Sequence, residues 1–205
     1  MVNDNQEMSP QSGAEKPSLS ILVADDEPPF VDMMAIMLKS VGHKVVATAR
    51  SGPEAIRLAE AKNPDLIVMD IGMPGMDGIT AAEQILARQS VPIIIVTGTT
   101  RDEAMNRIGR LKIQTCLIKP FSKEQLRSAI TLAMIGHYNT ELAMKKIDEL
   151  NREIERSKTI SDAVKWIVEE FGVDPAHAME QIQAAARERS CSVEEAAQGI
   201  TATHG

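Results

Sequence analysis

Five short aliphatic runs punctuate the first 135 residues of the chain: Ser20–Ala24, Lys44–Thr48, Leu66–Met69, Ile93–Val96 and Thr115–Ile118. After each, apolar residues return at every third or fourth position. Met33, Ile36, Met37 and Val41 mark the first of these segments, and Ala55, Ile56, Ala59 and Lys62 the second. Ile79, Ala82, Ile85 and Leu86 mark the third, Ala104, Ile108 and Leu111 the fourth, and Leu126, Ala129, Ile130 and Ala133 the fifth. Continuous runs suit strands buried on both faces, and the longer period suits helices with one buried stripe. Five strand–helix units predict an α/β fold, an open, doubly wound parallel sheet covered by helices on both faces. Ligands in that architecture bind outside the carboxyl ends of the strands, where strand order reverses.

The residues that end each run therefore matter most. Asp25, Asp26 and Glu27 follow the first, Asp70 the third, Thr97 closes the fourth and Lys119-Pro120 the fifth. Singly, each has an ordinary explanation: a pair of helix-capping acids, a surface turn, a strand-end hydroxyl, a surface lysine. Together they bring carboxylates, a hydroxyl and an ammonium to one edge of the sheet. Carboxylates a few ångströms apart repel one another unless a cation intervenes. Hard oxygen ligands in an incomplete protein cage favour Mg²⁺, which keeps waters and takes phosphate oxygens. Asp70 ends its run in a loop carrying Gly72, Pro74, Gly75 and Gly78, so the expectation is an exposed nucleophile with backbone brought close to a metal.

The stretches "VADDE", "MDIGMPGMDG", "VTG" and "IKPF" resemble, in order and separation, the receiver domain of two-component response regulators, over about residues 19–136. The resemblance implies a flavodoxin-like (βα)5 fold in which Asp70 accepts a phosphoryl group from a histidine kinase. It implies Mg²⁺ held by Asp26, Asp70 and the Gly72 carbonyl, with Asp25 acting through water. Lys119 would neutralise the acyl phosphate, and the Thr97 hydroxyl would bind a phosphoryl oxygen. Such a chain is a phosphoacceptor and not an enzyme, beyond catalysing its own phosphotransfer and dephosphorylation. The family usually places a switching aromatic three residues before the lysine, and here that position is Cys116. The thiol is either a small apolar filler or a redox sensor. Signalling then runs through backbone movement at Thr97, or is more weakly coupled.

Beyond Ala133 the helical pattern continues. Residues 137–156 contain neither Pro nor Gly, and Ala143, Ile147, Leu150 and Ile154 are spaced by four, three and four. That spacing fits a coiled-coil seam as well as a single amphipathic connector. Ile160, Ala163, Val164, Ile167, Val168 and Phe171 then form a wide apolar stripe ended by Gly172. Asp174 with Pro175 opens a second helix, directing Ala178, Ile182, Ala185 and Ala186 inward. Ser192 with Glu195 opens a third through a capping box, directing Val193, Ala196, Ala197 and Ile200 inward. The prediction is a coiled-coil helix leading into a small three-helix bundle.

The alanine-spaced pattern from "ISDAVKWIVEEFGV" to "SVEEAAQGI" resembles the ANTAR module of transcription antitermination regulators. The resemblance implies binding of paired RNA hairpins, so that a terminator does not form. Many members carry "AKG" in the first helix, where this chain reads "AVK". Lys165, Trp166, Arg187 and Arg189 are the candidate RNA contacts, with Trp166 as a stacking platform. The alternatives are that Trp166 packs in the bundle or a dimer seam and that the arginines are a solvated helix end. The domain reading is a disordered leader at 1–18, a receiver at 19–136, a linker helix at 137–156 and an output domain at 157–205.

Composition narrows the function classes. Residues 157–205 hold four Lys and Arg against eight Asp and Glu, and the whole chain carries a net charge of −7. That balance disfavours indiscriminate coating of nucleic acid. Cys116 and Cys191 lack metal-ligand spacing, so neither zinc nor a disulfide framework is expected. No apolar run approaches the roughly 20 residues that span a bilayer, and the leader lacks the pattern of a signal peptide. A cytoplasmic homodimer, formed at least on phosphorylation, is expected. The leading function is a response regulator with an RNA-binding antitermination output. The alternative is a helical tail that binds a protein partner and no nucleic acid.

Overall fold

The computed structural model describes residues 18–98, 102–111, 113 and 115–202, with the side chains of 102–105 outside that description. The leader (up to residue 17) and Ala104 as a core position of the fourth helix therefore lie outside the described residues. In chain order the elements are β1 (Ser20–Ala24), α1 (Pro28–Ser40), β2 (Lys44–Ala49), α2 (Gly52–Lys62), β3 (Leu66–Asp70) and α3 (Gly78–Leu86). Then come β4 (Ile93–Thr97), α4 (Asp102–Arg110), β5 (Thr115–Ile118), α5 (Lys123–Phe171), α6 (Pro175–Glu188) and α7 (Val193–Ala202). The chain divides into two compact units at Asn139 and Thr140, and α5 contributes to both.

In the first unit every strand pairing is parallel and the order is β2-β1-β3-β4-β5, with the reversal between β1 and β3. The alternation of side chains along each strand divides the core in two. Ile21, Val23, Leu66, Val68, Ile94 and Val96 face α1 and α5, meeting Met34, Leu38, Leu126, Ala129 and Ile130. Leu22, Ala24, Ile67, Met69, Ile93 and Ile95 face the other way, onto Ala55, Ile56, Ala59, Ile79, Ala82, Ile85 and Ile108. Burial on both sides confines polar residues to the ends of these strands, which accounts for their continuous apolar runs.

The inward face of α1 differs from the expectation. Met34 and Leu38 are fully buried, whereas Met33 and Ile36 are exposed at 41% and 71%. The segment "FVDMMAIML" is apolar nearly all round, so spacing alone does not select a stripe. Contact with Ile21 and Val23 does.

The second unit is a bundle around Ala163, Ile167, Ala178, Ile182, Ala186, Ala196 and Ala197. Phe171, expected to face inward, is 61% exposed because α5 ends there and Gly172 turns the chain at φ +64°. The Ser192–Glu195 capping box closes reciprocally, with Glu195 N–H donating to Ser192 Oγ and Ser192 N–H to Glu195 Oε2. At the start of α6, Asp174 Oδ1 accepts the N–H groups of Ala176 and His177 at 3.0 Å each. The bond from His177, foremost, holds the Asp174 carboxyl below the ordinary carboxylate range. A lowered carboxylate stabilises the fold above its unfolded pKa of about 4, and that contribution disappears as pH falls through the lowered folded value. Asp174→Ala is expected to melt a few degrees below the native chain at neutral pH, with the gap narrowing as pH falls below about 4. Thermal melts by circular dichroism across that range check it, and an unchanged gap at every pH would refute the linkage.

Candidate functional site

Strand order alone sets the site. The carboxyl ends of β1, β3, β4 and β5 lie side by side, and each delivers one polar group. Asp25, just past β1, donates its backbone N–H to the Ala49 carbonyl and is 1% exposed. Its Oδ1 accepts the Glu27 N–H at 2.9 Å and its Oδ2 lies 2.7 Å from Lys119 Nζ. Asp70 ends β3, with Oδ1 2.8 Å from the same ammonium and Oδ2 accepting the Gly72 N–H. Thr97 ends β4, is 1% exposed, and its carbonyl accepts the Lys119 N–H at 2.8 Å. The four strand ends thus converge on one ion-paired cluster.

Asp70 is not the open carboxylate the sequence suggests. It is 7% exposed, with one oxygen on the Lys119 ammonium and the other accepting the Gly72 N–H. The turn is fastened on both sides, by Ile71 N–H to the Val96 carbonyl at 3.2 Å and by Gly78 N–H to the Ile71 carbonyl at 3.0 Å. Gly78 serves packing here, since a Cβ on it would fall 1.8 Å from the Asp70 carbonyl oxygen.

Burial would lower the Lys119 pKa, but the hydrogen bonds and charges of Asp25 and Asp70 outweigh it and push the ammonium above the ordinary lysine value. Two carboxylates share one ammonium, so this trio retains net negative charge, with Asp26 exposed beside it. Among the described residues no three His, Cys, Asp or Glu side chains are grouped so as to hold a metal ion by themselves, so carbonyl and water oxygens would have to complete any shell. The donor set is oxygen only, with neither thiolate nor imidazole, and Lys119 offsets only part of its charge. These residues fit a hard divalent cation that retains water.

Cys116 is half-buried on β5, packs against the cluster on the α2, α3 and α4 side, and has its thiol pKa raised by burial. A raised pKa lowers the thiolate fraction and suits a filler. Two neighbours of the site went unread in the sequence. The Phe30 ring, on α1, lies with its centroid 3.7 Å from Lys119 Nζ and meets Phe121 edge-on. Arg107, on α4, bonds Asp77 Oδ2 and Thr80 Oγ1 at 3.0 Å each. The scarcity of aromatics, 2% of the chain, was the available signal for Phe30. Arg107 carried none.

In the second unit the RNA candidates occupy separate places. Lys165 is exposed and 3.8 Å from Glu169, while Trp166 is half-buried against the bundle core and stands edge-on to Phe171 at 5.7 Å. Arg187 and Arg189 are exposed at the end of α6, where a Cβ on Gly199 would come within 3.3 Å of Arg189 Nη1.

Residues 21–131 match the response regulator receiver domain, and residues 148–200 match the ANTAR domain. The chain belongs to the response regulators. It is 31% identical over 185 residues to the transcriptional regulatory protein PdtaR of Mycobacterium tuberculosis strain H37Rv, covering 90% of each chain. It is 32% identical over 144 residues to the alkaline phosphatase synthesis transcriptional regulatory protein PhoP of Bacillus subtilis, covering 69% of this chain and 58% of that one. Among solved structures, the receiver domain of a modulated diguanylate cyclase from Desulfovibrio desulfuricans G20 superposes with a TM-score of 0.57 at 26% identity, covering 60% of this chain and 99% of that one. The receiver domain of PhyR from Erythrobacter litoralis gives a TM-score of 0.52 at 28% identity, covering 58% and 91%. Among the described residues no helix is long and apolar enough to cross a membrane.

Proposed function

We propose that this response regulator is phosphorylated on Asp70 by a histidine kinase and that phosphorylation controls an RNA-binding antitermination output. The observation that carries the reading is the Lys119 ammonium held between Asp25 and Asp70 at the strand ends. In an in-line displacement, an Asp70 carboxylate oxygen bonds to phosphorus while the P–N bond of a phosphohistidine breaks. The electron pair leaves on the imidazole. Lys119 follows the new negative charge while keeping Asp25, and the Thr97 hydroxyl moves onto a phosphoryl oxygen. Asp26, Asp70 and the Gly72 carbonyl would hold Mg²⁺, with Asp25 acting through water. When bound, the ion supplies neutralisation of the phosphoryl oxygens. The chain acts as a phosphoacceptor and catalyses only its own phosphotransfer and dephosphorylation.

Residues 19–136 serve as the receiver, 137–156 as a stalk and 157–205 as the output module. Ile147, Leu150 and Ile154 are 56%, 46% and 62% exposed within the stalk, an apolar seam left open by the described residues. With Ile147 and Ile154 at the a positions, Glu153 and Lys158 occupy g and e, so a parallel second copy pairs opposite charges across the seam. Phosphorylation favours this homodimer, which presents two modules to one RNA carrying paired hairpins. Lys165, Arg187 and Arg189 contact that RNA, with Trp166 stacking alongside through its exposed edge.

The excess of acids in the output module favours a second reading, a protein partner in place of RNA. Filter binding of a two-hairpin RNA separates them. With beryllofluoride and Mg²⁺ the full chain is expected to bind such an RNA about tenfold tighter than without. Negligible retention at low salt in both states would sink the RNA reading and leave the protein partner.

A further inference from the structure

Phe30 lies outside every role assigned above. It sits in the first turns of α1, half-buried, and packs against the core face shared by α1 and α5. Its ring is held by Phe121, whose centroid is 6.1 Å away with the planes at 80°. Both rings flank the site, Phe121 following Lys119 by two residues. The Phe30 face meets the Lys119 ammonium at 3.7 Å, well inside the distance at which a ring quadrupole attracts a cation. Asp25 and Asp70 engage Lys119 at 2.7 Å and 2.8 Å, and the Lys119 side chain is only 22% exposed. Two carboxylates and one aromatic face therefore confine a four-carbon chain that would otherwise sweep through solvent.

We propose that Phe30 is a positioning residue for phosphotransfer: its ring face pins the Lys119 ammonium at the mouth of the Asp25–Asp70 pair, where the incoming phosphoryl charge develops. The proposal rests on Asp70 as the phosphoacceptor. The reasoning is one of preorganised charge. A donor group pays least at the moment of reaction when it is already placed and partly desolvated. The carboxylates alone do not ensure this, because Asp70 surrenders its hold on Lys119 when it takes the phosphoryl group. Asp25 and the ring remain. The ring, unlike water, attracts the ammonium without offering it a competing proton acceptor.

The test uses the full chain with fluorinated phenylalanines placed at position 30, which drain the ring's negative face while keeping its shape, alongside Phe30→Leu and Phe30→Tyr. Two readouts are taken: the rate of phosphorylation by acetyl phosphate with Mg²⁺, and the ring-current displacement of the Lys119 ε-methylene protons by NMR, which reports whether the ammonium stays over the ring. The expected result is a graded loss along the fluorination series, reaching about fivefold in the transfer rate, with the ring-current displacement at Lys119 shrinking in step. Phe30→Leu should match the most fluorinated ring, and Phe30→Tyr should keep native values. A role in packing alone would leave the fluorinated rings indistinguishable from Phe, and that outcome overturns the proposal. If the native chain takes no label while the ring-current displacement at Lys119 still follows fluorination, the reading of Asp70 fails and the ring's hold on the lysine stands. If the chain is labelled but neither readout moves, Asp70 stands and Phe30 falls.

Discussion

Asp70→Asn is expected to abolish labelling by a phosphodonor while leaving the fold standing. The two halves have separate causes. Phosphotransfer needs an anionic oxygen with a free electron pair at the end of β3, and an amide supplies neither the charge nor the nucleophilicity. The fold, by contrast, loses little. The Gly72 N–H that donates to Asp70 Oδ2 finds an amide oxygen in the same place. Breaking a buried ion pair is costly mainly when the surviving charge is stranded. Here Lys119 keeps Asp25 at 2.7 Å and the face of Phe30. Mass spectrometry after treatment with acetyl phosphate and Mg²⁺ reads the first half, and a thermal melt reads the second. Full labelling of the variant would remove Asp70 from the mechanism and transfer the question to Asp25 or Asp26. A variant that did not fold would show that the Asp70–Lys119 contact is a structural prop.

The framework of the receiver was open to reading because its strands β3 and β4 are buried on both faces along their length, leaving the runs "LIVMD" and "IIIVT" with no polar interruption except at the ends. Polar groups at those ends stand out against such a background, and so Asp25, Asp70, Thr97 and Lys119 were found together. What failed to show was whatever depended on which neighbour fills a given space. Met34 and Leu38 were passed over for Met33 and Ile36, because α1 is apolar nearly all round and only the sheet chooses its face. Phe171 was placed inward by a periodicity that does not register where a helix stops. Asp70 was taken as exposed, since nothing in "DIGMPGMDG" announces that Lys119, which arrives 49 positions later, will cover it. The Phe30 ring belongs to the same class. Its contact with Lys119 joins elements from opposite ends of the receiver and exists only once the sheet brings β1 and β5 to one edge.

Gly78→Ala is expected to be the most damaging single methyl that can be added near the site. Gly78 opens α3 directly after the turn that carries Asp70. A Cβ there would fall 1.8 Å from the Asp70 carbonyl oxygen, 2.8 Å from its carbonyl carbon and 2.9 Å from Met69 Cγ. Two of those three atoms are backbone inside a fully buried strand, paired in register with β4, and they have no room to retreat. Alanine ordinarily favours a helix over glycine by about 1 kcal/mol. That gain is outweighed if overpacking costs about 4 kcal/mol, above the usual range because backbone must move. The control is Gly109→Ala in α4, where a Cβ meets nothing within 4 Å and the helix preference acts alone. Urea midpoints for the pair should move in opposite directions, down for Gly78→Ala and slightly up for Gly109→Ala. The loss at Gly78 should also reach the chemistry. The same carbonyl that the methyl displaces belongs to Asp70, the proposed phosphoacceptor, so any Gly78→Ala chain that does fold should label more slowly than the native one. Equal midpoints and equal labelling would mean that α3 slides away from β3 at little cost, and that glycine at this position answers to something other than the closeness of Asp70.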